Sequence, residues 1–321
     1  MPEAALPRSL REAYGEALVE LGEQLPEVVV LDADLSRSTM TAAFRARFPQ
    51  RSYNLGLAEA NMIGIAAGLA STGRIPFATT YAMFVCRAFE QIRQAVAGTA
   101  ANVKIVGTHA GLAAGYDGGT HQALEDVALM RVLPGMTVLS PADFHEARQA
   151  VHAAARQVGP VYLRLGRDPV PCWSDPSRLF EIGRAWRLTE GSDVAILATG
   201  TLVAAATAAA AQLGEVGIGA AVTNVSTLKP LDEATVIAEA RRCACVVTVE
   251  EHSRIGGLFE AVAGALAGRV LAPIEPVAMA DRFGESGSWE ELLGKYGLSR
   301  EGIVEAAMRA IAGKGSRGES P

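Results

Sequence analysis

The sequence predicts an α/β protein of two domains, each a largely parallel sheet covered by helices. Short apolar runs alternate with amphipathic stretches of helix length, the pattern that strand-helix-strand units impose. At 321 residues the chain is longer than a single core usually supports, about 250 to 300 residues. Near residue 170 the alternation breaks in "GRDPVPCWSDPSRLFEIG" (166–183), with three prolines and no period, and then begins again. These observations divide the chain into a first domain at 1–170, a linker at 171–190, a second domain at 191–311 and a polar, Gly-rich tail at 312–321 that is expected to be disordered.

In chain order, the first-domain strands are expected in "VVVLDAD" (28–34), "IPFATT" (75–80), "VKIVGTH" (103–109), "MTVLSPAD" (136–143) and "PVYLRLG" (160–166). Amphipathic helices fit "AEANMIGIAAGLAS" (58–71) and "FHEARQAVHAAARQ" (144–157). The second domain repeats the scheme with strands "DVAILATG" (193–200), "IGAAVTNVS" (218–226), "CVVTVEE" (245–251) and "IEPVAMAD" (274–281), and an Ala-rich helix at 201–213. Ligands of open α/β sheets gather at the carboxyl ends of the strands. Asp34, Thr79 to Tyr81, His109, Ser140 and Arg167 stand at or just past such ends, so one rim is expected to collect the functional groups.

Half of the residues are hydrophobic, enough for two cores, and the formal charge is −6 with a pI near 5.5. No block of Lys or Arg appears of the kind that neutralises nucleic-acid phosphates, which argues against a nucleic-acid partner. The amino terminus carries charges every few residues, unlike a signal sequence, and no apolar run approaches the roughly 20 residues of a membrane span. The expectation is a cytoplasmic protein with no membrane association. Cys86, Cys172, Cys243 and Cys245 are too few for a disulfide framework, and the pair in "CAC" is expected on one side of a buried strand rather than on a metal.

Three segments carry candidate chemistry. In "GTHAGLAAGYDGGTHQALED" (107–126), two of the five histidines, an aspartate between them and five glycines follow directly on an apolar strand. Such glycine density lets a backbone turn sharply or approach a ligand, while His109, Asp117 and His121 supply titratable groups. Their gaps of eight and four residues, with no cysteine nearby, do not follow zinc-ligand spacing. In "NLGLAEANMIGIAAGLA" (54–70), Glu59 opens a helix with a buried stripe at Met62, Ile63, Ala66 and Leu69. A carboxylate in a first turn also complements the helix dipole, so its position alone leaves a structural and a catalytic role open. In "TTYAMFVCRAFEQIR" (79–93), Tyr81, Phe84 and Arg87 recur at helical spacing, which suits core packing or an aromatic wall for a flat ligand.

Together with "DADLSRS", "GPVYLRLGRDPVP", "VSTLKPLDEA" and "VEEHSRIGGL", these segments resemble, in order and over nearly the whole chain, the carboxy-terminal half of transketolase. That half comprises the pyrimidine-binding domain and the smaller C-terminal domain after it. The resemblance implies that the first domain binds the aminopyrimidine of thiamine diphosphate. Glu59 would share a proton with ring nitrogen N1′, Tyr81 and Phe84 would wall the ring, and Asp34 and Arg87 would lie beside the cofactor. Arg87 resembles the arginine of deoxyxylulose-phosphate synthases more than the aromatic residue common in transketolases. His109 and His121 would line the substrate channel and act in catalysis, Asp117 would read a sugar hydroxyl, and Ser38 and Arg167 would hold a distal phosphate. The stretch 249–267 would lie near subunit contacts, with His252 structural.

This chain has "GYDGG" at 115–119 and "AEA" at 58–60 where transketolases usually have "GEDGP" and "REH", so altered acceptor choice is expected. It contains no "GDG", the motif with which the family's amino-terminal domain holds diphosphate and Mg²⁺. The resemblance therefore implies one subunit of a split transketolase, completed by an N-terminal transketolase subunit in an α₂β₂ heterotetramer. Its function would be transfer of a two-carbon ketol unit from a ketose phosphate to an aldose-type acceptor. Three other readings share these features: the beta subunit of a 2-oxoacid dehydrogenase decarboxylase, a deoxyxylulose-phosphate-synthase-like enzyme, and a non-catalytic subunit that only completes its partner.

Overall fold

The computed structural model describes residues 5–315, and among them three sheets form. In chain order the strands are β1 (Ala5–Arg8), β2 (Val28–Asp32), β3 (Ser52–Asn54), β4 (Ile75–Tyr81), β5 (Lys104–Thr108), β6 (Thr137–Leu139), β7 (Val161–Arg164), β8 (Val170–Cys172), β9 (Trp186–Arg187), β10 (Val194–Ala198), β11 (Ala220–Asn224), β12 (Thr227–Lys229), β13 (Val246–Ser253) and β14 (Ile274–Met279). The first large sheet has the order β12-β6-β7-β5-β4-β2-β3 and the second β14-β13-β10-β11-β9. Each is parallel except for one short edge strand, β12 against β6 and β9 against β11. The small third sheet pairs β1 with β8.

Alternation along the strands places side chains on two faces. In β2, Val28 and Val30 enter a core with Phe77, Val106 and Leu163, while Val29 and Leu31 enter another with Ala78 and Ile105. That second core continues into the other domain through Ala195, Leu197, Ala221 and Val246, so one apolar layer is common to both sheets. The outer face of the second sheet packs Ile196, Val222 and Val247 against Val203, Ala206 and Leu213 of the helix Val203–Glu215. No helix among the described residues is long and apolar enough to cross a membrane.

Several sequence expectations need correction. Around the expected linker, β8 pairs with the first residues described and β9 joins the second sheet. Of the tail expected from residue 312, residues 312–315 belong to the last helix, Arg300–Gly315, and the remainder lies outside the described residues. Cys243 and Cys245 do not share a strand face. Cys243 closes the helix Glu233–Cys243, Ala244 turns the chain at φ 60, and the two thiols enter different cores. Ser140 leaves the expected rim for the seam between domains, where its N–H donates to Ser226 O (2.8 Å) and its carbonyl accepts from Gly200 N–H (3.2 Å).

What positions the site is the row of carboxyl ends of β2, β4, β5 and β7. The N-terminal helix Leu10–Gln24, closed by a Ser9–Glu12 capping box, is tied to this row through its first turn. Beyond β3, Asn54 Oδ1 accepts from the N–H groups of Asp34 (3.1 Å) and Gly56 (3.0 Å). Gly56, at φ 71, then turns the chain into the helix Glu59–Ser71.

Candidate active site

Two residues on this rim hold backbone angles that non-glycine residues seldom adopt, Asp34 at φ 65 and His109 at φ 55. Such strain persists where surrounding structure dictates a side-chain direction, which makes both positions functional candidates. His109 is turned onto the ring of Tyr81, with centroids 3.8 Å apart and planes 26° from parallel. Tyr81 in turn stacks on Phe84 at 5.4 Å and 10°, and Phe84 meets His121 edge-on at 5.5 Å. The four rings form one continuous ladder, so the residues expected around the cofactor and those expected in the substrate channel share a single wall.

His109 is 3% exposed. Burial, then the nearby cations Arg11 and Arg167 and the ring of His121, push its pKa down to about 3, so the imidazole is neutral at physiological pH. An Arg11 N–H points at Nε2 across 3.4 Å, and because arginine cannot accept, the proton belongs on Nδ1, which donates to Thr108 Oγ1 at 3.0 Å. His109 thus presents a lone pair, not a charge. His121 is half-buried with Nδ1 2.9 Å from Thr120 Oγ1. Asp117 is exposed at the end of the turn Gly111–Asp117, where Gly115 and Gly118 both have positive φ.

Glu59 is the first residue of its helix and 4% exposed. Among the described residues its carboxylate has no hydrogen-bond or ion-pair partner, whereas a buried carboxylate normally has several. The helix packs against β4 and the short helix Ala82–Arg87, the elements that carry Tyr81 and Phe84. Asp34 is exposed and accepts from Asn54 Nδ2 at 2.8 Å, and Arg87 is exposed at the end of its helix with no ion pair among the described residues.

Arg11 escaped the sequence reading. It sits in the first turn of the N-terminal helix, where the dipole disfavours a cation, and that misplaced charge in "SLREAYGEAL" was the available signal. Its Nη1 donates to Ser38 O (2.7 Å) and its Nε to Arg167 O (3.2 Å), while Arg167 donates to Ala114 O (3.1 Å). Burial and the field of Arg167 lower the Arg11 pKa from its ordinary value. Two guanidiniums held this close repel each other, which an anion between them would relieve.

The chain spans two matched domain profiles: "Transketolase, pyrimidine binding domain" over residues 7–171 and "Transketolase, C-terminal domain" over 183–303. It is 45% identical over 308 residues to a transketolase C-terminal section of Methanocaldococcus jannaschii, covering 95% of this chain and 96% of that one. A 6-deoxy-6-sulfo-D-fructose transketolase subunit of Clostridium sp. is 42% identical over 309 residues, covering 96% of each. Among solved structures, a split-gene transketolase described as an inactive beta4 tetramer superposes with a TM-score of 0.89 at 49% identity, covering 95% of this chain and 98% of that chain. Fold and matched domains thus define a pyrimidine-binding domain followed by a C-terminal domain of the transketolase type. The chain belongs to the transketolase family.

Proposed function

We propose that this chain is the carboxy-terminal, pyrimidine-binding subunit of a split transketolase, moving a two-carbon ketol unit from a ketose phosphate to an aldose-type acceptor. The observation that carries the reading is the largely buried Glu59, whose carboxylate has no partner among the described residues and which lies beside a helix bearing a stacked aromatic pair. A ring nitrogen of an aminopyrimidine supplies the missing partner, and Tyr81 and Phe84 supply a flat face for the ring. When bound, thiamine diphosphate supplies the nucleophilic carbon that accepts the ketol unit.

This chain's residues then have separate tasks. Glu59 holds a proton against the ring nitrogen. Neutral His109, with its Nε2 lone pair, and His121 accept or donate protons at substrate hydroxyls, and Asp117 reads one of them. Arg11 and Arg167, beside Ser38, attract the phosphate at the far end of the sugar. Asp34 and Arg87 stand at the edge of the cofactor's place. The diphosphate and Mg²⁺ are assigned to an N-terminal transketolase subunit, since this sequence contains no "GDG". The assembly assigned is α₂β₂, and the inactivity of the beta-only relative supports the need for a second kind of subunit.

Ketol transfer from a ketose phosphate is measured with the chain alone, with an N-terminal subunit, and with Glu59→Gln in the mixture. Activity is expected only in the mixture, and Glu59→Gln should lower kcat by about 10² to 10⁴. Full activity of the chain alone, or an unchanged rate for Glu59→Gln, would end this reading.

A further inference from the structure

Resting on that reading of the site, we propose that Glu251, a residue of β13 in the second domain, is a positioning residue for the substrate loop of the first. Its carboxylate fixes the backbone between His109 and Asp117. Oε1 accepts the N–H groups of Leu112 (2.6 Å) and Ala113 (3.1 Å) together with Trp289 Nε1–H (3.0 Å), and Oε2 accepts the Thr201 hydroxyl (3.0 Å). Glu251 is 3% exposed, and enclosing a carboxylate is tolerated only when hydrogen bonds replace its water. Two of those bonds come from the loop itself.

The loop needs an outside anchor. From His109 to Gly115 its side chains are Ala and Gly apart from His109 and Leu112, so few local groups can hold the backbone. Gly111, at φ 74, makes the approach possible, because a Cβ there would lie 2.5 Å from Glu251 Oε1. Arg164 locks the other side by donating to the carbonyls of Glu251 (2.8 Å) and Ala123 (3.3 Å), and Gly111 N–H donates to Ala123 O (2.9 Å). The second domain holds the remainder of the loop too, through Ser286 Oγ on Tyr116 O (3.0 Å) and Gln122 Nε2 on Glu285 O (2.9 Å). Displacing the 111–113 backbone would therefore shift His109 and Asp117 together while leaving Glu59, Tyr81 and Phe84 on their own elements.

The variants Glu251→Ala, Glu251→Gln and Gly111→Ala are compared in the chain assembled with its N-terminal subunit. Gln keeps one oxygen for the three N–H donors, and its NH₂ can donate to the Thr201 hydroxyl, so it should act as a rescue. Glu251→Ala and Gly111→Ala are expected to speed hydrogen exchange of the 107–126 amides about 10-fold and to lower kcat/KM for the ketose phosphate about 10- to 100-fold, with KM rising. Thiamine diphosphate affinity and exchange in β10 should stay at wild-type values, and Glu251→Gln should restore exchange and kcat/KM to within about 3-fold. Unchanged loop exchange, equal losses in cofactor and sugar affinity, or a Gln variant as impaired as Ala would each overturn the proposal. The exchange comparison requires no turnover, so a wild-type assembly without ketol transfer would sink the functional reading and still leave Glu251 decided.

Discussion

The two domains share one architecture but use the carboxyl ends of their strands in opposite ways. In the first sheet, Asp34, Tyr81, His109 and Arg167 stand at or past the ends of β2, β4, β5 and β7, on a rim where the Glu59 carboxylate has no partner among the described residues and the charges of Arg11 and Arg167 repel each other. In the second sheet the same rim is closed by the first domain. Asn224 Nδ2 (2.9 Å) and Ser226 Oγ (2.5 Å) donate to Glu146, Gly200 N–H donates to Ser140 O, and Glu251 takes the amides of Leu112 and Ala113. The polar groups at such ends have to be satisfied by something. Where the other domain does so the sheet is a brace, and where nothing among the described residues does so the sheet has a candidate site.

On that contrast, charge changes on the open rim should affect catalysis directly, and those on the closed rim stability, except at Glu251, which reaches catalysis through the loop it holds. Replacing Arg11 with Met in the assembled enzyme should lower kcat/KM for a phosphorylated ketose about 100-fold, the scale of a charged hydrogen bond, and barely alter an unphosphorylated ketose. Equal losses for both sugars would remove the anion-binding role. Glu146→Leu strands the Ser226 and Asn224 donors and the Ala142 N–H that its carboxylate accepts at 2.6 Å. A stability loss of about 2 kcal/mol in urea unfolding is expected, with KM for the sugar unchanged. A KM rise with unaltered stability would reverse the assignment of the two rims.

How much of this was legible in the sequence follows the same division. Long buried strands such as β2, β4 and β5 show as apolar runs, and the candidate site residues at their ends follow from the rule of strand ends together with the motif resemblance. The short edge strands β3, β9 and β12 contain only two or three residues each, too few for any period to register. Ser140 looked like a rim residue because it follows β6, but β6 lies beside β12, at the edge where the second domain docks. Arg11 precedes the first large strand and joins the candidate site only because the N-terminal helix begins against Arg167. The Glu251 contact spans 139 residues to Leu112, and no local pattern encodes a pairing between domains.

The two histidines that burial keeps neutral allow the finest test. His109 on the open rim is pushed down to about 3 and His252 in the seam to about 4, both mainly by burial, from an ordinary 6.5. A depressed pKa means that the unfolded chain binds the extra proton, so this stability is fully present above pH 6.5 and is lost as pH falls toward the folded values. From pH 8 to 6, His252 should account for about 1 kcal/mol of that loss, and His252→Asn should flatten the acid limb of the unfolding midpoint by that amount. For His109 the cations Arg11 and Arg167 add to burial, and an anion seated between them would offset their field. Inorganic phosphate should therefore shallow the acid limb of the wild-type chain and of His252→Asn alike, but not that of His109→Asn. If phosphate acts equally on all three, His109 does not feel an anion at the open rim, and the distinction between the two rims is lost.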